Sequence, residues 1–340
     1  MKASLIVPCW NCARTLPRFL ASVQAQTFPD FEAIFVDDGS TDDTASLLKK
    51  AVAAHPQFRL ISQANAGVSA ARNAGLDAAT GEFVFFADPD DVLRPAMLAK
   101  GVAALEADAA DYCVFPHNMC LGGTESRTFV PLKGSCRYAS NDEIVAQHLS
   151  RMFGYSFDHV RAWYAGTPLF AHRVHGGVWS CAFRRSVIEA NHLRFDTRIV
   201  LYEDAMFNCA YMLHAQRMTC VDEPLYDYHL APTGAMTRLR RSGRELANKL
   251  ELLRARKELD AQSGGRLAPL AAASHVFSVL EMLKIVLTGR APFRAGLRQV
   301  RAYACDPVVR QAISAFPLSF RHPLLAAGVW TLRLVLPRPA

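Results

Sequence analysis

Short apolar runs and helix-spaced apolar positions alternate along the first 110 residues. Residues 4–7 form an apolar run that stops at Pro8. Residues 14–26 follow, with Leu16, Phe19, Leu20 and Val23 at helical spacing, and Phe28-Pro29-Asp30 breaks that helix. Residues 31–36 read as a buried strand ended by Asp37-Asp38-Gly39-Ser40. Thr41 or Asp42 could cap the next helix, which runs to about His55. A third strand over 58–62 precedes a third helix over 68–79. A fourth apolar strand, 83–87, stops at Asp88-Pro89-Asp90-Asp91, and Pro95 suits the first turn of a helix reaching about Ala107.

Four strand–helix alternations predict an α/β fold: an open, mainly parallel sheet with helices on both faces. Parallel connections are right-handed, so the strand ends gather at one edge, where open α/β sheets bind ligands. The strand-ending segments here are 8–11, 37–40, 63–67 and 88–91, so four polar loops should share one crevice.

Beyond residue 110 the pattern is mixed. Residues 112–115 could be a strand, 121–135 a surface loop, and 187–193 and 204–214 helices. From Arg238 the chain reads as strongly helical, with Leu246, Leu250, Leu253 and Leu259 on one face. Gly264-Gly265 ends that helix and another starts near Leu267. The predicted organisation is a strand–helix front half (1–110), a second half of the same domain (111–237), and a basic helical C-terminal region (238–340).

Composition sharpens this picture at three points. Hydrophobic residues make up 51% of the 340-residue chain, enough for a sizeable core, which excludes wholesale disorder. The most apolar segments, 276–287 and 324–336, are interrupted by Glu281, Lys284 and Arg333, short of an uninterrupted membrane-spanning run. The apolar stretch 3–7 is too short for a secretory signal. The formal charge of +7 is unevenly spread: residues 233–340 carry 18 Lys and Arg against 6 Asp and Glu, whereas the front part is net acidic. The nine scattered cysteines read as reduced cytosolic thiols. Cys9 and Cys12 form a C-x-x-C after the first strand, but a zinc site would want a second such pair and there is none.

Three carboxylates in Asp88-Pro89-Asp90-Asp91 would repel one another if unpaired. A hard divalent cation, Mg2+ or Mn2+, would remove that repulsion; the plain alternative is a helix-capping turn. Asp38 could accept from the imide of a uracil-like base, and Trp10, after Pro8, offers a flat face for stacking. Their alternatives are a capped turn and ordinary packing. Arg72, in an Ala-rich helix, could face a phosphate or pair with an aspartate. In Glu203-Asp204 a carboxylate at a helix start is either a cap or a general base. His229 is either a metal or phosphate contact or a surface histidine.

The motifs Pro8-Cys9-Trp10-Asn11, Asp37-Asp38-Gly39-Ser40-Thr41-Asp42, Asn65-Ala66-Gly67-Val68-Ser69-Ala70-Ala71-Arg72-Asn73, Asp88-Pro89-Asp90-Asp91, Tyr202-Glu203-Asp204 and Pro224-Leu225-Tyr226-Asp227-Tyr228 occur in the order and spacing of family 2 glycosyltransferases of the GT-A fold, which this chain resembles over about residues 3–237. The resemblance implies inverting transfer of a sugar from a nucleotide-diphosphate donor, by family habit a UDP-sugar, to an acceptor hydroxyl in surface polysaccharide or glycolipid synthesis. It implies Pro8, Trp10, Asn11 and Asp38 around the base, and Arg72 near the base or phosphates. It further implies Asp88 and Asp90 as the metal pair with Mn2+ or Mg2+, His229 completing the metal shell, Asp91 beside the donor sugar, and Asp204 as the base. The family usually has a small residue and Tyr where Cys9-Trp10 stand. A loop closing over the site is expected in 121–135 or 166–177.

Arg290, Arg294, Arg298 and Arg301 recur at helical spacing, and Trp330 sits with Arg333. Basic helices with Leu and Trp suit an anionic membrane surface, and a solvated bundle is the alternative. The chain is therefore expected in the cytoplasm, peripheral on the inner face of the cell membrane, with a glycan or lipid-linked acceptor and no nucleic acid. Nucleotidyl transfer would want a glycine-rich loop after the first strand, and hydride transfer a G-x-G-x-x-G; neither is present. A non-catalytic binding protein using the basic tail is the remaining rival, and the acidic set Asp38, Asp88, Asp90 and Asp204 speaks against it.

Overall fold

A computed structural model describes residues 1–121, 124–129, 137–168, 176–230, 239, 242–319 and 322–335. The chain divides into two compact units. The first comprises Met1–Ala146 and His175–Gly234, the second Gln147–Val174 and Ala235–Ala340. Residues 147–174, read from the sequence as part of the catalytic domain, thus group with the C-terminal helices.

The first unit is built on a seven-stranded sheet in the order β10-β6-β9-β4-β1-β2-β3. Its strands are β1 (Ala3–Cys9), β2 (Phe31–Asp38), β3 (Phe58–Gln63), β4 (Phe83–Phe86), β6 (Tyr112–Val114), β9 (Cys181–Arg184) and β10 (Met218–Cys220). Strand β1 is buried along its whole length because it lies between β2 and β4, both parallel to it. Pairing with β4 covers only Ala3 to Ile6, so Pro8, which has no N–H to donate, stands beyond the paired stretch on that side. Helices α1 (Leu16–Gln24), α2 (Thr44–Ala54), α3 (Val68–Ala78) and α4 (Met97–Ala107) fill the connections. Helix α3 packs tightly against β1. A Cβ on Gly75 would lie 2.3 Å from Ile6 Cγ2, so only glycine fits that contact.

The register puts Cys9 beside Asp37 and Asp38 beside Gln63, at the same edge as the end of β4. The four polar segments therefore do share one sheet edge.

Two features escaped the sequence pattern. Strand β9 is antiparallel to both β4 and β6. A second, four-stranded sheet, β5-β11-β7-β8, is formed by β5 (Val92–Leu93), β7 (His117–Leu121), β8 (Thr124–Phe129) and β11 (Tyr226–His229). Part of the region read as a surface loop is thus strand. These strands are too short for periodicity to register, and cross-strand pairing rather than intrinsic propensity holds them. The expected closing loops fall largely on 122–123, 130–136 and 169–175, outside the described residues, as do Arg238, Arg240 and Arg241.

The second unit is helical. Its main helices are Phe157–Tyr164, Glu245–Gln262, Ala268–Leu287, Phe293–Ala304, Pro307–Ala315 and Pro323–Val335. Of the four leucines read on one face, Leu246, Leu253 and Leu259 are buried and Leu250 is half-buried. Leu246 and Leu253 share a core with Val276, Met282, Val286, Val300, Ile313 and Phe316. The helix Ala268–Leu287 is long and apolar enough to cross a membrane by length and composition, and more than half of its most apolar stretch is buried within the protein.

Candidate active site

The site grows from three loops at the carboxyl ends of β1, β2 and β4. The β1 and β2 loops are laced together. Asn11 adopts a left-handed conformation, φ 48°, its backbone N donates to Ser40 Oγ, and its Oδ1 accepts from Thr41 N at 2.8 Å. Cys12 N donates to Thr44 Oγ1 and Ala13 N to Asp42 Oδ2. Trp10, between these anchors, is 51% exposed, an uncommon state for so large an apolar ring.

The β2 loop turns at Gly39, φ 68°, where a Cβ would meet Asn65 N at 2.7 Å. Asp37 Oδ1 accepts from Ser40 N within that turn. Asp38 is buried. Its Oδ1 accepts from Gln63 Nε2 and Ala66 N, and its Oδ2 from Gly67 N at 2.8 Å. It thereby holds the entry to α3.

One turn into α3 stands Arg72, buried with its guanidinium against the Phe195 ring. Nη2 donates to Asp88 Oδ1 at 2.9 Å and Nη1 to Glu203 Oε1 at 2.8 Å. Its Nε is buried without a partner. Asn73 exchanges two hydrogen bonds with the Phe195 backbone, fixing the segment that leads to Glu203.

The three carboxylates after β4 diverge. Asp88 is partly exposed and reaches Arg72, while its backbone N donates to Tyr226 Oη. Asp90 is exposed. Asp91 is fully buried, accepting from Tyr226 Oη at 2.8 Å and from His229 N at 2.7 Å. Burial, followed by the charges of Asp90 and Asp88, pushes its carboxyl well above the ordinary range. Asp91 thus ties β11 to the acidic turn. Trp179 stacks on Tyr226 and Tyr228 and holds the same strand.

Tyr202, φ 74° and left-handed, turns the chain into the helix Glu203–Met212. Such strain in a non-glycine residue clusters at functional sites. Asp204 accepts from Ala205 N, and burial, with the adjacent Glu203 charge second, raises its carboxyl to about 7. Burial also raises Glu203, opposed by Arg72. A carboxylate poised near neutrality suits proton abstraction at physiological pH.

His229 faces a cation. Its Nδ1 lies 3.4 Å from Arg18 Nη1, and burial followed by that guanidinium lowers its pKa. Arg18 also donates to the Asp90 carbonyl. Neither Arg18 nor the Glu203 pairing was visible in the sequence, because each partner is distant along the chain. Among the described residues no group of three or more His, Cys, Asp and Glu side chains is gathered as metal ligands. Asp88 and Asp90 remain as two hard oxygen donors, a set that suits a cation sharing its shell with a diphosphate rather than a closed protein cage.

A family model described as glycosyl transferase family 2 matches residues 4–187. The uncharacterized glycosyltransferase YibD of Escherichia coli (strain K12) is 29% identical over 248 residues, 73% of this chain and 66% of that protein. The chondroitin synthase of Escherichia coli is 35% identical over 115 residues, 34% of this chain and 17% of the enzyme. The chain thus spans less than two thirds of these relatives. The crystal structure of S. aureus TarS 1-349 in complex with UDP-GlcNAc has a TM-score of 0.61 at 19% identity, covering 96% of this chain and 87% of that one, a likeness of fold. With the GT-A-like sheet and the acidic loops at its edge, the family model identifies this chain as a member of glycosyltransferase family 2.

Proposed function

We propose that the protein transfers a sugar from a UDP-sugar to an acceptor hydroxyl with inversion, using a divalent cation, in surface polysaccharide or glycolipid synthesis. The observation that carries this reading is the buried Arg72, whose one guanidinium touches both Asp88 of the acidic turn and Glu203 beside Asp204. The leaving-group side and the base side of a displacement are thereby held at one locus. TarS, which shares the fold, binds UDP-GlcNAc, and the chondroitin synthase relative motivates the polysaccharide context.

In this reading Trp10 stacks on the base, with Pro8 and Asn11 shaping the loop beneath it. Asp38 accepts one hydrogen bond at Oδ2, from Gly67 N, and the second lone pair of that oxygen would take the imide N–H. Asp88 and Asp90 would hold Mn2+ or Mg2+, which neutralises the charge that builds on a departing diphosphate. Arg72 holds Asp88 in place. Asp204 takes the proton of the acceptor hydroxyl as that oxygen attacks in line, so one displacement inverts the anomeric carbon. The transition state has oxocarbenium character, as in glycoside hydrolysis.

The test is a screen of nucleotide sugars with Mn2+ or Mg2+, following nucleotide release. Turnover with a UDP-sugar that stops on chelation, and that yields the opposite anomer, is expected. Metal-independent turnover or retention would overturn the metal or the inversion reading respectively.

We also propose a peripheral contact of the helical unit with an anionic membrane on the cytoplasmic side, where a lipid-linked acceptor would lie. Leu324, Trp330 and Leu334 are exposed on the helix Pro323–Val335, and Arg294, Arg298 and Arg301 are exposed on Phe293–Ala304. Co-sedimentation with anionic vesicles that high salt abolishes is expected; indifference to such vesicles at low salt would end this reading.

A further inference from the structure

Arg18, on α1, has an exposed side chain whose guanidinium is nevertheless held at two points. Nη2 donates to the Asp90 carbonyl across 72 residues of chain, and Nη1 lies 3.4 Å from His229 Nδ1 across 211. His229 is the half-buried last residue of β11, and its backbone N is fixed by Asp91 Oδ1 at 2.7 Å. Helix α1, the acidic turn and the end of β11 thus meet at one imidazole.

A guanidinium has only N–H groups to offer, so the ring nitrogen that faces it must accept. His229 Nδ1 is therefore the lone-pair nitrogen, and the ring proton sits on Nε2. This is the reverse of a metal-ligating histidine, which gives one lone pair to the ion and donates its other N–H to a carboxylate, a carbonyl or water. Two carboxylates of the same strand and turn are engaged elsewhere. Asp91 accepts from Tyr226 Oη and the His229 backbone, and Asp227 from Arg94 and Asn118. With Nδ1 taken by Arg18 and Nε2 protonated, neither ring nitrogen offers a lone pair to a cation. What remains is an N–H donor and a guanidinium beside the turn that carries Asp88 and Asp90. Such a pair attracts a phosphate oxygen, whereas the charge of Arg18 repels a metal ion.

We propose that His229 donates from Nε2 to the diphosphate of the nucleotide sugar instead of ligating the metal, and that Arg18 is the positioning residue that sets this role. The diphosphate contact rests on the nucleotide-sugar reading above; the Arg18–His229 arrangement does not. The metal shell is left to Asp88, Asp90 and the diphosphate itself. Because Arg18 is also bonded to the Asp90 backbone, the donor nitrogen and the acidic turn are held in one register.

The full-length protein, isotope-labelled in its histidines and metal-free at neutral pH, is examined by NMR of the ring nitrogens, with His229→Gln assigning the resonance. UDP affinity is measured calorimetrically, with Mn2+ and with a chelator, on the parent, Arg18→Ala, His229→Ala and His229→Gln. The parent should carry the His229 proton on Nε2, and Arg18→Ala should show a mixture of tautomers. His229→Ala should bind UDP about tenfold more weakly both with and without the metal. His229→Gln, whose amide keeps an N–H donor, should recover most of that loss. A proton on Nδ1 in the parent, or an unchanged tautomer in Arg18→Ala, overturns the role of Arg18. A loss confined to Mn2+ and not rescued by glutamine makes His229 a metal ligand and overturns the proposal, as does parental affinity in His229→Ala. Where the parent binds UDP only with Mn2+, the glutamine variant decides. If the parent binds no UDP under either condition, the nucleotide reading falls together with the diphosphate contact, and the NMR alone decides the Arg18–His229 arrangement.

Discussion

Arg72 Nη1 donates to Glu203 Oε1 at 2.8 Å across a sequence separation of 131 residues. The same guanidinium reaches Asp88 at 2.9 Å, so one buried cation braces the acidic turn after β4 against the start of the helix Glu203–Met212. Such a brace is worth most when it is broken, because removing one partner strands buried charge. Arg72→Ala should destabilise the protein by about 3–5 kcal/mol in urea unfolding. In a double-mutant cycle with Glu203→Gln the two changes should couple by at least about 0.5 kcal/mol. Strict additivity would mean that the contact carries no energy.

Asp204 is raised from 3.8 to about 7, by burial first and by Glu203 second. A general base works deprotonated, so transfer should rise with pH and level off above about 7. Asp204→Asn should lower kcat by about 10²–10⁴-fold while donor binding persists. The same shift has a stability sign. Between 3.8 and about 7 the folded state holds a proton that the unfolded chain has lost, so stability falls as pH rises through that window. Asp204→Asn should therefore melt higher than the parent above pH ~7. A flat pH–rate profile with parental kcat in the variant would remove Asp204 from the mechanism.

Asp91 and Asp90 should give opposite signatures. Asp91→Ala leaves Tyr226 Oη and His229 N without their acceptor, a loss of about 1–3 kcal/mol in thermal or urea unfolding. Asp90→Ala, at an exposed position, should shift stability by no more than about 0.5 kcal/mol yet abolish metal-dependent donor binding. Equal stability losses in the two variants would contradict their different burial.

Gly75→Ala should cost about 1–3 kcal/mol, since the new methyl would lie 2.3 Å from Ile6 Cγ2. Pairing it with Ile6→Ala, which removes that carbon, should lose less than the sum of the single changes. A neutral Gly75→Ala would show that α3 can lift from β1 freely.

Much of this organisation was legible without coordinates. Strand and helix periods, the breaks at Asp37-Asp38-Gly39-Ser40 and Asp88-Pro89-Asp90-Asp91, and the rule that parallel strands end on one edge together predicted the four-loop crevice. The short strands β5, β7, β8 and β9 were not legible, since a few residues cannot display a period and their stability comes from partners elsewhere in the chain.

Residue by residue, the divide is sharper. Asp90 and Asp91 are neighbours of identical chemistry, and no local pattern says that one meets solvent while the other is sealed under Tyr226. Arg72 could have met a phosphate or an aspartate; its pairing with Asp88 and Glu203 follows only once α3 and the helix Glu203–Met212 converge. Local backbone sterics and side-chain spacing write secondary structure into short stretches of chain. Burial, charge pairing and the pKa of Asp204 depend on which distant segments fold together, and those contacts exist only in the assembled unit.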